Sequence, residues 1–194
     1  MNSPLLIAFA GLDGSGKSTQ IEAIKKRFED KGFRVKIQHH FDTELGKICQ
    51  GIIKVSSNAY VRAITFALDE YAQKLDNISD AGYDLILCDR SHYCAIAYSG
   101  SQGISEDWIR SLYKHSQTYN LCLYLDISLT TSYLHKGFDD KSPDIDERQF
   151  SNVRKIYLDL VANGELIKID AEQKFDKVTD DIERAIWEVV KKCR

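Results

Sequence analysis

Little in this chain interrupts folding. Only two of its 194 residues are proline, and it has no Ser/Gly-rich linker, low-complexity tract or internal repeat, which argues against disorder and against a second domain. A single domain over residues 1–194 is expected, burying roughly 70% of the unfolded chain's surface. Positive charge is not in excess. The 26 Lys and Arg stand against 29 Asp and Glu, for a net charge of −3, so no general field exists to attract nucleic acid or anionic lipid. Neither nucleic acid nor membrane is expected as a partner, and a small anion would need a local site. No apolar run approaches the ~20 residues of a membrane span, and the opening stretch "MNSPLLIAFAG" has no basic leader region; a cytoplasmic protein is expected. The five cysteines (Cys49, Cys88, Cys94, Cys122 and Cys193) are odd in number and lack CxxC spacing, which disfavours a disulfide framework or a zinc site. Cys88 and Cys122 fall in strand-like runs and read as small core residues. His39 and His40 are adjacent at a strand end and would point to opposite faces, a poor arrangement for one metal ion.

What the chain does contain is alternation. Short apolar or β-branched runs lie at Leu5–Ala10, Arg34–Gln38, Asp84–Cys88, Leu121–Ile127 and Leu166–Ile169, separated by longer segments with helical periodicity. This predicts an α/β fold, a five-stranded parallel sheet with helices on both faces. The first helix should run from Gly16 or Lys17 to Lys31, burying Ile21, Ile24 and Phe28, with Gly32 as its stop. A long helix is expected from Ala59 to Ile78, and two later ones from Asp146 to Asn163 and from Phe175 to Lys192. Trp108 and Trp187 fall on predicted helices and read as packing residues. The polar stretch "KGFDDKSPDIDER", Lys136 to Arg148, reads as an exposed loop able to act as a mobile lid.

The strongest motif is "GLDGSGKST", Gly11 to Thr19, which follows an apolar strand and opens an amphipathic helix as a phosphate loop must. Backbone N–H groups have to turn inward around phosphate oxygens, hence the glycines at 11, 14 and 16. Gly14, Ser15, Gly16, Lys17, Ser18 and Thr19 are the candidate ATP contacts, joined by Gly11 and Asp13. Lys17 would bridge the β- and γ-phosphates, and Ser18 would place its hydroxyl on Mg²⁺. No N-K-x-D guanine-reading motif occurs, and Asp126 at the end of "LYLD" is not followed by the glutamate of a motor ATPase. Both absences favour a kinase. In open sheets ligands gather at the carboxyl ends of the strands, where "LILCDRSH" ends an apolar run on Asp89, Arg90 and Ser91.

With "FAGLDGSGKSTQ", "FALDEYAQ", "LILCDRSHYCAIAYSG", "LCLYLDIS" and "VRKIYLDLVANGELIKIDA", nearly the whole chain resembles the thymidylate kinase family. That resemblance implies a P-loop nucleoside monophosphate kinase with a five-stranded parallel sheet, a mobile lid, Mg²⁺-ATP as donor and a homodimeric form. By the same resemblance, Asp13 lies near the deoxyribose hydroxyl and Arg90 near the donor and acceptor phosphates. It puts Asp89 near the magnesium shell and the lid at 136–148. Lys17, Arg90, Asp89 and Asp13 are the catalytic candidates it implies.

Four positions depart from the family pattern. The Arg-Glu-Pro segment after the second strand is replaced by "QHHFDTELGKI", Gln38 to Ile48. The arginine of the long helix is replaced by Asp69-Glu70, a cation exchanged for an anion. Ser15 fills the P-loop position where some members carry arginine, and the lid is mostly acidic, leaving Lys136, Lys141 and Arg148 as its cations. The usual Asp-Arg-Tyr is Asp89-Arg90-Ser91, with Cys94 where serine is common. Missing arginines matter because each is worth roughly 10³- to 10⁵-fold in phosphoryl transfer. Against this, Glu70 on a solvated helix face would cost nothing. A monophosphate acceptor is already an anion and needs cations to hold it; a nucleoside acceptor needs a carboxylate such as Asp89 as general base. The tail pattern ranks a monophosphate kinase first, a nucleoside kinase or kinase of a modified nucleotide second, and a non-catalytic nucleotide-binding protein third. Phe41, Phe66 and Tyr98 are candidate base-stacking residues, with Glu70, Ser91, Asp13 and Arg90 completing the expected acceptor site. Arg62 reads as a surface residue. Asp170-Ala171 resembles the loop that borders adenine.

Overall fold

The computed structural model describes residues 3–79, 82–136 and 147–193. Five parallel strands, β1 (Leu5–Gly11), β2 (Val35–Gln38), β3 (Leu85–Asp89), β4 (Leu121–Asp126) and β5 (Ile167–Asp170), form one sheet in the order β2-β3-β1-β4-β5. Around it lie α1 (Lys17–Glu29), α2 (Glu44–Val55), α3 (Ala59–Ser79), α4 (His92–Ser101), α5 (Glu106–Leu112), α6 (Leu129–Lys136), α7 (Glu147–Ala162) and α8 (Phe175–Cys193).

Successive strand residues point to opposite faces, and both faces are covered, so the strands read as unbroken apolar runs. Ile7, Phe9, Leu85, Leu87, Leu123 and Leu125 pack with Ile21, Ile24 and Phe28 of α1 and Ile182 and Ile186 of α8. Ala8, Ala10, Ile86, Cys88, Cys122 and Tyr124 pack on the other side with Ala67, Ile96, Val153 and Tyr157. The rings of Tyr124 and Tyr157 stack there with centroids 4.7 Å apart. Cys88 and Cys122 are buried thiols within this second core.

The strands and the helices α1, α3, α7 and α8 lie where the periodicity puts them, apart from their ends. The first helix stops at Glu29, two residues before the expected Lys31, and Gly32 follows at φ 84°. The helices α2 and α6 are not evident from apolar periodicity. In α2 only Gly46 and Cys49 are buried, and Ile48 and Val55 face outward, so its apolar pattern does not point at the core. Its start is nonetheless capped: Thr43 Oγ1 accepts from Gly46 N at 2.8 Å. The short α6 leads toward the expected lid, whose residues 137–146, Lys141 included, lie outside the described residues.

The register sets the site. Phe9 of β1 pairs with Asp89 at the end of β3, and Gly11 with Leu125 of β4. The central strand therefore delivers the glycine loop between the carboxyl ends of β3 and β4.

Candidate active site

Glycine is required where the loop leaves β1. A Cβ on Gly11 would lie 2.7 Å from Leu125 O and 2.8 Å from Ser15 Oγ, and Gly14 and Gly16 adopt φ 83° and 79°. Gly16 caps α1, so the following N–H groups open toward the loop. Ser15 is buried, and Ser18 and Thr19 lie exposed in the first turn of α1.

Lys17 is 6% exposed, its ammonium donating to Leu12 O at 2.9 Å, Gly11 O at 3.2 Å and Ser15 Oγ at 3.4 Å. Burial first, then the positive charge of Arg90, lowers its pKa from 10.5 to about 8; Asp13 and Asp89 pull the other way. Ser18 Oγ donates to Asp89 Oδ2 at 2.7 Å, joining the first turn of α1 to the end of β3, 71 residues on. Hydroxyl and carboxylate oxygens are the hard donors that a magnesium ion takes, so this pair fits the ion that a nucleoside triphosphate carries. His39 Nδ1 lies 3.6 Å from the same Asp89 oxygen.

Arg90 stands between loop and cavity. Its N–H donates to Phe9 O at 3.0 Å, extending the sheet by one bond, and its φ of 89° then turns the chain out of the strand. The guanidinium pairs with Asp13 and sits 5.8 Å from the centre of the Tyr98 ring. Asp13 is itself held from behind by Ser132 Oγ, which donates to its carbonyl at 2.6 Å.

Beyond Arg90 opens a cavity of about 660 Å³, within the range of small-molecule sites. Of the acceptor residues expected from sequence, Asp13, Phe41, Phe66, Arg90, Ser91 and Tyr98 line it. The Phe41 and Phe66 rings are 5.5 Å apart, and Phe41 is held at φ 68°. Ser91 Oγ is buried without a hydrogen-bond partner among the described residues, although Ser91 is the N-cap of α4.

Glu70 is not on the cavity wall, and the solvated-face reading of it does not hold. It is 1% exposed, Oε1 accepting from Ser116 Oγ at 2.8 Å with His92 Nδ1 at 3.3 Å. A carboxylate is buried there because a hydroxyl from the β4 approach and a ring from α4 meet it, a match that sequence spacing does not reveal. Arg62, read as a surface residue, instead lines the cavity, its Nη1 donating to Ile53 O at 3.0 Å and Ser56 O at 3.4 Å. The signal was available: Arg62 lies four residues before Phe66, on the same face of α3. His40 and Gln149 also line the cavity and were not anticipated there.

On the other flank, Asp126 is fixed by Arg154 (2.8 and 3.1 Å) and Tyr124 (2.8 Å). Burial works against its charge, but these bonds hold its pKa below the ordinary carboxylate value. Ala171 N donates to Asp126 O at 3.0 Å, keeping the turn after Asp170 beside β4. Arg148 is exposed in the first turn of α7.

A family model described as thymidylate kinase matches residues 9–182 of the chain. Several proteins named "probable thymidylate kinase" are similar over almost their full length. The one from Staphylothermus marinus is 28% identical over 193 residues, 96% of each chain. That from Methanosphaera stadtmanae is 31% identical over 197 residues, 96% of this chain and 100% of the relative. The Methanobrevibacter smithii protein is 31% identical over 188 residues, 94% of each.

The lowered pKa of Lys17 has a measurable consequence. Between about pH 8 and 9 the free lysine passes from half to mostly neutral, and an anionic phosphate favours its charged form, so ATP binding should take up a proton in that window. Titration calorimetry in buffers of different ionisation enthalpy should detect the uptake, and Lys17→Met should abolish it. Proton-neutral binding by the native protein would contradict the assignment.

Proposed function

The chain belongs to the thymidylate kinase family, and from that membership and the site geometry we propose that it transfers the γ-phosphoryl group of ATP to dTMP, giving dTDP and ADP. One observation carries the reading: the phosphate loop, the Ser18–Asp89 pair and Arg90 converge at the mouth of a cavity walled by Phe41 and Phe66.

Gly11 and Asp13 to Thr19 would wrap the donor phosphates, with backbone N–H groups and the α1 N-terminus facing them. Lys17 would exchange its carbonyl partners for phosphate oxygens, gaining the charge compensation that burial denies it. Ser18, and Asp89 through water, would hold magnesium, which when bound neutralises charge on the transferring group. Arg148 and Lys141 would supply lid cations to the donor.

Arg90 and Arg62 are the two arginines lining the cavity, and the reading gives the acceptor phosphate to them. Arg62 stands in for the cation missing at position 70. An acceptor phosphate oxygen attacks the γ-phosphorus while the bond to the ADP oxygen breaks. Because that oxygen is already anionic, no general base is needed, which suits Asp89, already engaged by Ser18. Asp13 orients Arg90 and meets the sugar hydroxyl. The base would lie against Phe66 and Phe41, and Ser91 and Tyr98 would border the sugar and phosphate.

No helix among the described residues is long and apolar enough to cross a membrane. A homodimer is part of the reading. Val61, Ile64, Leu68 and Leu75 of α3, with Ile48 and Val55 of α2, are exposed, an apolar stripe of the kind a second copy covers. Sedimentation equilibrium should give about twice the 22.1 kDa chain mass, and a monomer at micromolar concentration would contradict it.

The activity is tested by coupled ADP release with dTMP, dUMP, CMP, thymidine and deoxycytidine as acceptors. Turnover should be fastest with dTMP and fall by at least about 10³-fold in Lys17→Ala with the fold retained. Turnover with nucleosides alone would replace the reading with a nucleoside kinase. ATP binding without stimulation by any acceptor would make the protein a nucleotide-binding module.

A further inference from the structure

Asp69 is completely buried, and its carboxylate ties α3 to the segment after β2. Its carboxylate meets His40 Nδ1 at 2.7 Å, accepts from Phe41 N at 3.1 and 3.2 Å, and accepts from Gln73 Nε2 at 3.0 Å. Gln73 Nε2 also donates to His39 O at 3.0 Å, so α3 grips residues 39–41 at three points. The fit is close. A Cβ on Gly46 would come within 2.6 Å of Asp69 Oδ1 and 2.7 Å of Phe41 Cα, which is why α2 can only pass here with glycine.

This grip decides the chemistry of His40. An ionised carboxylate only accepts hydrogen bonds, so Nδ1 carries the proton given to Asp69. In the neutral ring Nε2 is then a lone-pair acceptor, and no described residue donates to it. His40 lines the cavity, its ring 5.2 Å from Phe66 and 5.6 Å from Phe41. A flat base lying against these phenylalanines would present its edge to the imidazole.

We propose that His40 reads the base of the acceptor, its Nε2 accepting a hydrogen bond from the ring N3–H of thymine or uracil. Cytosine carries a lone pair at N3 and would set acceptor against acceptor, so the same nitrogen that holds one pyrimidine rejects the other. Asp69 acts through His40 as a positioning residue. The inference rests on the monophosphate kinase reading and adds to it the group that selects the base.

His40→Asn separates the two functions of the ring, because its amide N–H can take the place of Nδ1 toward Asp69 while nothing replaces Nε2. Steady-state kinetics with dTMP and dCMP should show kcat/KM for dTMP reduced by about 10- to 100-fold, mostly through KM, with dCMP improved and the KM for ATP little changed. An unaltered dTMP-to-dCMP ratio in a variant with native melting temperature would overturn the inference, as would a loss confined to dCMP. Should the variant not fold, ¹⁵N-histidine NMR of the native protein decides: dTMP should shift the His40 Nε2 resonance and leave Nδ1 protonated, and an unmoved Nε2 overturns the inference. A native protein that phosphorylates no pyrimidine monophosphate would remove the underlying reading as well, whereas native turnover of dTMP with an unchanged ratio in His40→Asn would remove this inference alone.

Discussion

The backbone of Arg90 is the constraint on which the site depends. Its N–H is tied to Phe9 of the central strand while its φ of 89° swings the side chain away from the strand direction. A bulky residue in that conformation costs about 1–3 kcal/mol and persists only where the surroundings enforce it. Here the sheet holds one end, and the Asp13 carboxylate of the phosphate loop holds the guanidinium. On the proposed reading the donor and acceptor halves of the site would share this one cation, which Asp13 and the sheet hold in place. Preorganisation of this kind is what phosphoryl transfer demands, since the protein supplies position and charge rather than covalent chemistry.

A second strained residue marks the far wall. Phe41, at φ 68°, is held by its own N–H on the buried Asp69. The same carboxylate fixes His40, and Gly46 gives both of them room. The Asp69-Glu70 pair, which in sequence looks like the loss of a cation, thus has two separate structural roles. Asp69 shapes the cavity from beneath residues 39–41, and Glu70 ties α3 to Ser116 and His92. Arg62, two turns earlier on the same helix, lines the cavity.

The parts legible in sequence were those governed by local rules. A strand buried on both faces must be apolar throughout, which made β1, β3 and β4 plain, and the phosphate loop needs glycine and lysine at fixed spacing. Elements governed by partners distant in sequence were not legible. α2 turns its apolar side chains outward, so its periodicity gave no core to match, and only the Thr43 cap marked its start. Glu70 was expected in the acceptor site, with a solvated face as the alternative, and neither reading could anticipate Ser116, 46 residues away, which the fold alone brings to it. His40 was weighed as a metal ligand and set aside, and its pairing with Asp69, 29 residues on, depends on how α3 crosses the end of β2. Sequence marked the segment after β2 as a departure from the family pattern, and the fold places His40 and Phe41 of that segment on the cavity wall.

The most direct test of this arrangement is a crystal structure with dTMP and a non-hydrolysable ATP analogue bound together. The triphosphate should lie on the glycine loop, the dTMP phosphate against the Arg90 guanidinium and the base on Phe66 with its N3 edge toward His40. A dTMP molecule bound away from the Phe41–Phe66 wall, with Arg90 still committed to Asp13 alone, would contradict it.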